Sequence, residues 1–239
     1  NNLMNFAIIA AGEGSRLVQE GIAVPKPLVE LDGRPMIGRL IDIFTACKAE
    51  SISIIVNEQM TEVRAYIEER AAKSVVPIHL VVKTTPSSMH SFYEVSSVFP
   101  AGSKFILTTV DTIFHQDEFS KYAAAFAADT ECDGYMAVTD FIADEKPLHI
   151  DAAAKGIITA FKDQHEPQIR YISGGIYGLT TPALSVLQLC MDRGVSRMRN
   201  YQRALVEAGL RLRAYPFSKI VDVDHAVDIA TARAFIAER

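Results

Sequence analysis

NFAIIAAGEGSRL, residues 5–17, runs an uncharged segment of strand length straight into two glycines and an arginine. A strand followed by Gly12, Glu13 and Gly14 lets backbone approach a phosphate closely, with the loop N–H groups forming an anion nest. Two well-known phosphate loops begin this way, and this chain completes neither. The dinucleotide fingerprint needs a third small residue for helix packing where this chain has Leu17, and a proline-bearing segment is expected next in place of a helix. The P-loop needs a Gly-Lys-Ser/Thr at a set distance, and none follows. Two glycines after a strand could also be only a tight turn, so the neighbouring residues decide. VPKPLVELDGRPMI, residues 24–37, places Lys26 between Pro25 and Pro27. The prolines are expected to hold the Lys26 backbone extended. Arg16 offers a planar fork for phosphate oxygens and Lys26 a compact point charge, so the pair reads as two cationic arms.

Outward from this loop, strand-length apolar runs alternate with segments of helical period, which is the pattern of βαβ units around a largely parallel sheet. SISIIV, PIHLVV, KFILTTVD and CDGYMAVT read as strands. MIGRLIDIFTACKA, TEVRAYIEERAAK and QDEFSKYAAAFAA read as helices, with another beginning near Ser91. KFILTTVD is the expected central strand, ending on Asp111. From about residue 140 the texture changes to a hairpin, a strand broken by the pair Gly174–Gly175, two helices, two short strands and a last helix over HAVDIATARAFIAER. No repeat or flexible linker interrupts the order, so residues 1–239 are expected to form one three-layer α/β/α unit with a mixed, mostly parallel central sheet and a small β subregion.

Composition narrows the function. The chain has 239 residues, 49% hydrophobic and 22% charged, enough for a full core without disulfide or metal. With 29 acidic against 24 basic residues and a formal charge of -5, it lacks the electrostatic footprint of a nucleic-acid binder. Cys47, Cys132 and Cys190 are far apart, odd in number and in apolar surroundings, so they are expected to be buried thiols in a reducing compartment. No leader and no apolar run of bilayer length is visible, and the expected location is the cytoplasm.

The dense match of AAGEGSRL followed by PKPLVELDGRPMI resembles the N-terminal signature of nucleotidyltransferases that join a nucleoside triphosphate to a sugar-1-phosphate or similar phosphomonoester, releasing pyrophosphate. The resemblance implies that family's Rossmann-like fold and its site. Ala10, Ala11, Gly12, Glu13 and Gly14 would wrap the base and phosphates, Arg16 would grip the departing pyrophosphate, and Lys26 would contact the α-phosphate region. Asp111, in FILTTVDTIF, falls on the family's metal-binding aspartate, and VDVDHAVDIATA resembles its closing pattern. Asp222 is there the second magnesium ligand, Asp224 the fallback, and Asp228 a helix-start residue. The commonest sugar-activating members carry glycine where Asp224 stands, which leaves the acceptor open. Only hard oxygen ligands are offered, so Mg²⁺ is expected rather than zinc.

TPSSMHSFYEVS falls where the family reads the base, with Ser87 and Ser88 as candidates and His90 behind them, and its texture is closer to the branch activating phosphocholine or other small phosphoesters. A serine-rich helix start is also ordinary capping chemistry. SGGIYGL resembles the glycine-rich floor of the acceptor pocket, giving Gly174, Gly175 and Tyr177. Lys162, in FKDQHEP, matches loosely a lysine that touches the acceptor phosphate. Three alternatives stand beside this reading: a molybdopterin guanylyltransferase-like enzyme, a catalytically silent nucleotide-binding regulator of the same fold, and a glycosyltransferase. The last would want an Asp-x-Asp pair after a mid-chain strand, which TVDT does not supply. The expected partners are an NTP and a small phosphorylated acceptor, with no nucleic acid, no membrane and an open oligomeric state.

Overall fold

A computed structural model describes residues 4–100, 104–143 and 145–238. The chain runs through β1 (Met4–Ala10), α1 (Ser15–Gln19), a 3-10 turn (Lys26–Leu28), the short strands β2 (Glu30–Leu31) and β3 (Arg34–Pro35), α2 (Met36–Ala46), β4 (Ala49–Val56), α3 (Thr61–Lys73), β5 (Ile78–Val82) and α4 (Ser88–Ser96). It continues with β6 (Phe105–Thr109), β7 (Thr112–Ile113), α5 (Gln116–Ala128), β8 (Gly134–Thr139), β9 (His149–Ala152), β10 (Ile158–Lys162) and β11 (Tyr171–Leu179). α6 (Thr181–Asp192), α7 (Met198–Glu207), β12 (Leu212–Pro216), β13 (Val221–Asp222) and α8 (Ala226–Ala237) follow.

Across the main sheet the order is β12, β8, β11, β6, β1, β4, β5, with the β9–β10 hairpin attached to the far end of β11. β1 pairs parallel with β4 and β6, β4 parallel with β5, and β12 parallel with β8. β11 alone among these seven runs against its neighbours, pairing antiparallel with β6 and with β8. The expected mixed, mostly parallel sheet is therefore what the chain builds.

Alternation along β1 explains the layers, because successive strand side chains point to opposite faces. Phe6, Ile8 and Ala10 join the cluster that takes in α2, α3 and α5, including Phe44, Ile67 and Phe119. Ala7 and Ile9 face the cluster covered by α4, α6 and α7, including Phe92, Leu187 and Tyr201. A third, smaller cluster joins the two ends of the chain: Leu17, Val29 and Leu31 pack with Val221, Val223, Ile229 and Phe235.

Several local expectations are corrected. Ser15–Gln19 is helical, so the glycine loop does open a helix, though one of only five residues. Pro25 is extended, but Lys26 itself starts a 3-10 turn closed by Leu28 N–H donating to Pro25 O (2.8 Å). α4 starts at Ser88, earlier than Ser91, because Ser87 caps it. β6 stops at Thr109, which leaves Asp111 in the turn before β7. Gly174 and Gly175 do not break β11, and the chain absorbs them as a register shift against β8 between Ser173 and Tyr177. Cys132 and Cys190 are buried thiols, whereas Cys47 is half-exposed beside Ser120. Arg239, the end of the expected last helix, lies outside the described residues.

Candidate active site

The carboxyl end of β6, with Thr109 and Asp111, meets a cleft of about 1100 Å³, whose lining includes neither Ala10–Gly14 nor Arg16 and Lys26, which stand beside it through their contacts with Asp111 and Asp224. Ligands collect at such strand ends in open α/β sheets. Ala10 and Ala11 are buried at the end of β1, where Asn57 donates its side-chain amide to Ala11 O (2.9 Å) and fixes the start of the loop. Gly12 faces open space, and Glu13 is exposed. Gly14 turns the chain at φ 62° against the stem of Lys26, whose Cβ would lie 3.0 Å from any Cβ at position 14. Loop and lysine thus pack as one unit, and only glycine meets both demands.

Lys26 and Arg16 converge on carboxylates from the middle and end of the chain. The Lys26 ammonium lies 2.8 Å from Asp111 Oδ2 and 3.8 Å from Asp224 Oδ1. Arg16 donates to Asp224. Burial pulls the Lys26 pKa down, but attraction to Asp111, a hydrogen bond to it, and the charges of Asp224 and Asp222 more than offset this, so the net shift is upward. β13 pairs antiparallel with β7, setting Asp222 opposite Thr112, and Val223 N–H donates to Asp111 O (3.0 Å). That pairing brings the Asp111 and Asp222 backbones together at one end of the cleft, and both residues line it. Tyr177 registers them too: burial raises its pKa, and the negative charges of Asp222 and Asp111 push it further.

Among the described residues no group of three His, Cys, Asp or Glu side chains is placed to hold an ion unaided. Asp111 and Asp222, whose backbones meet, offer hard oxygen of the kind that suits an ion completing its shell with water and substrate phosphates, as Mg²⁺ habitually does. Asp228, by contrast, is occupied as a cap, accepting from Asp224 N–H (3.0 Å) and His225 N–H (2.8 Å).

Ser87, Ser88, Gly174, Gly175 and Tyr177 all line the cleft. Ser87 Oγ is 2.7 Å from His90 Nδ1 and accepts from Arg197 N–H (3.3 Å), so it ties α4 to the residue before α7. Gly175 has φ 78° and sits over Thr112, whose hydroxyl lies 2.7 Å from where a Cβ would project. Lys162 is not among the cleft residues, and its ammonium pairs with Glu166 (2.5 Å) and Asp151 (3.8 Å).

Other residues at the site carried no motif. Glu20, at the end of α1, accepts from Ala226 N–H (2.7 Å) and lies 3.1 Å from His225 Nδ1. His225 Nε2 is in turn 3.0 Å from Glu145, so α1, α8 and the segment before β9 are clasped at the cleft mouth. The hydrogen bond to Glu20 is the main cause of a raised His225 pKa. Asn57 had one legible signal, a polar side chain directly after the apolar run of β4. Glu20 had none, because its partners lie about two hundred residues away.

A family model described as "MobA-like NTP transferase domain" matches residues 6–172. Among curated proteins, the 2-aminoethylphosphonate cytidylyltransferase of Lancefieldella rimae is 32% identical over 102 residues, covering 43% of this chain and 41% of that protein. The mannose-1-phosphate guanyltransferase of Gibberella zeae is 32% identical over 83 residues, covering 35% of this chain and 23% of that protein. The chain thus spans less than half the length of either relative. Among solved structures, the inositol-1-phosphate CTP transferase of T. maritima superposes with a TM-score of 0.81 at 16% identity, over 100% of this chain and 98% of its own. A putative glucose-1-phosphate thymidylyltransferase from Bacillus anthracis gives 0.83 at 18% identity, over 99% and 96%. At such identities these two likenesses establish the shared fold.

Proposed function

The chain belongs to the MobA-like NTP transferase domain family, and from that premise we propose that it transfers a nucleoside monophosphate from an NTP to a small phosphomonoester or phosphonate, releasing pyrophosphate. The observation that carries this reading is the meeting of Lys26 with Asp111 and Asp224 at the end of β1, with Arg16 beside them. A site built only to bind a nucleotide would not need its carboxylates set among its phosphate-seeking cations.

The chemistry follows from the groups present. The second ionisation of a phosphomonoester falls near pH 6, so at neutral pH the attacking oxygen is already an anion and no general base is required. The difficulty is to bring two anions together in line. Lys26 supplies positive charge at the α-phosphate, and Arg16 exchanges Asp224 for the oxygens of the departing pyrophosphate. The exposed N–H groups around Gly12 and Gly14 cradle the triphosphate without reorganising. Asp111 and Asp222 would hold Mg²⁺, which when bound supplies neutralisation of phosphate charge. Ser87 and Ser88 stand on the base side, and Gly174, Gly175 and Tyr177 floor the acceptor side. We keep Lys162 outside the reacting centre, as a lysine supporting the β9–β10 hairpin.

The two relatives whose names specify cytidylyl or CTP transfer support CTP as the first nucleotide to try. The free thiols and net charge support a reducing, cytoplasmic setting and no nucleic-acid partner. The test is pyrophosphate release from four NTPs, each with sugar-1-phosphates, phosphocholine, 2-aminoethylphosphonate and molybdopterin, with and without magnesium. Release from one pair, dependent on magnesium, is expected. Tight NTP binding with no release from any pair would leave a silent nucleotide binder, and stimulation only by molybdopterin would move the chain to the guanylyl-transferring reading.

A further inference from the structure

Among the described residues, four that are not glycine have positive φ: Asp32, Lys48, Lys155 and Arg197. Arg197 is the unusual one. At φ 73° and ψ 139° it lies outside the left-handed helical region that side chains tolerate, in territory that glycine populates almost alone. A glycine would sit there without strain. The arginine side chain gives nothing visible in return, because among the described residues its guanidinium has no hydrogen-bond or ion-pair partner, while its backbone N–H donates to Ser87. It lines the cleft at the start of α7, a helix of ten residues with no side-chain N-cap and no acidic residue in its first turn.

A second observation lies one turn further along the same helix. Gln202 is 2% exposed and also lines the cleft. Its amide nitrogen donates to Met198 O (3.3 Å), while its carbonyl oxygen is buried with no hydrogen-bond partner among the described residues. A buried orphan acceptor is costly unless something else satisfies it. Arg199, between the two, is already held by Asp163 (2.8 Å) and Lys146 O (2.8 Å).

We propose that the first turns of α7 form the acceptor-recognition wall of the cleft, where Arg197 takes an oxyanion of the acceptor and the Gln202 carbonyl accepts from a hydroxyl or ammonium group of the same molecule. The acceptor is therefore a small phosphoester or phosphonate carrying a hydrogen-bond donor. The oxyanion is either the reacting phosphate or a second acidic group further along the molecule. This rests on the transferase reading for the word acceptor, but the binding it asserts can be measured without turnover. The strain at 197 and the orphan at 202 are what a wall shaped for a ligand retains, and neither helps the fold.

The experiment is calorimetric titration of the protein, saturated with magnesium and a CTP analogue whose α,β-bridging oxygen is replaced by methylene so that no pyrophosphate can leave, with inorganic phosphate, O-phosphoethanolamine and O-phosphoserine. Wild type is compared with Arg197→Gly and Gln202→Met, and thermal unfolding is followed in parallel. Arg197→Gly is expected to weaken binding about tenfold or more, while CTP affinity stays within about twofold and the unfolding temperature does not fall. Gln202→Met is expected to weaken both organic probes and spare inorganic phosphate. A loss in Arg197→Gly common to all three probes identifies the reacting phosphate as the oxyanion; a loss confined to phosphoserine identifies a distal carboxylate. Unchanged affinities in both variants would overturn the proposal, as would wild-type protein that takes none of the three, or an equal loss of CTP binding. Protein that binds these probes through Arg197 yet releases no pyrophosphate from any NTP, either with them or with the acceptors of the panel above, would keep this inference and remove the transferase reading.

Discussion

Lys26 is one-eighth exposed and holds its proton against burial because Asp111 and Asp224 face it. Its raised pKa keeps it charged across the physiological range, so in the proposed reaction it would act as a fixed field at the α-phosphate rather than as a proton in flight. Removing one preorganised group of this kind typically costs about 3 kcal/mol of barrier. Lys26→Ala is accordingly expected to lose turnover about a hundredfold or more with its fold retained by circular dichroism, and a variant with near-normal turnover would remove Lys26 from the reaction. A second residue pair sets a pH limit far from the cleft. Asp129 accepts from the Tyr135 hydroxyl (2.6 Å). Burial, then Asp129, pushes the Tyr135 pKa up to about 12 from 10.0. Because the folded value exceeds the unfolded one, this contribution is complete below pH 10 and is lost as pH climbs through about 12. Asp129 moves the other way: burial opposes the charge, but the Tyr135 hydroxyl and two backbone N–H groups overcome it and lower the pKa below 3.8. Its contribution is present above that value and fades as acid carries the pH through the folded pKa. Tyr135→Phe is expected to flatten the alkaline limb of a stability-against-pH curve measured by urea unfolding; an unchanged limb would discount the pair.

At the scale of elements, β11 does the most to shape the cleft floor. Gly175 can bend there because it has no Cβ, and a methyl group would meet the Thr112 hydroxyl at 2.7 Å in a backbone conformation that side chains rarely adopt. Gly175→Ala is expected to cost about 1–3 kcal/mol in denaturant unfolding, and a neutral result would mean the β7 turn yields easily. Elements of this kind were readable in sequence to different depths. Thr61–Lys73 and Gln116–Ala128 have the bounds that periodicity and composition predict, because each has a clear period with punctuation at both ends. α1 escaped because five residues give too little period to register. The cations and carboxylates of the cleft were legible through motifs, since their chemistry limits the residue types allowed. Arg197, Gln202 and Glu20 were not, because an unpaired guanidinium, an orphaned carbonyl and a capping contact two hundred residues away are facts of packing and leave no local trace.

At the scale of the whole molecule, the third apolar cluster couples the glycine loop to the closing carboxylates. Leu17 follows Arg16, and Val221 and Val223 flank Asp222, so one small core seats both halves of the candidate phosphate site. Phe235 is 1% exposed within it. Phe235→Ala is expected to cost about 3–5 kcal/mol and, in whatever protein remains folded at low temperature, to weaken NTP binding in calorimetry although it touches no ligand. Intact NTP affinity alongside the lost stability would show that the cleft is positioned independently of this core. The antiparallel seam between β6 and β11 bears on how the molecule is made. Until Tyr171–Leu179 leaves the ribosome, Phe105–Thr109 presents a naked, apolar edge to other nascent chains, and the matched family segment, 6–172, ends just as that cover begins. A recombinant fragment cut at 170 should therefore precipitate during expression, and chaperone demand during synthesis should peak in the interval between those two stretches.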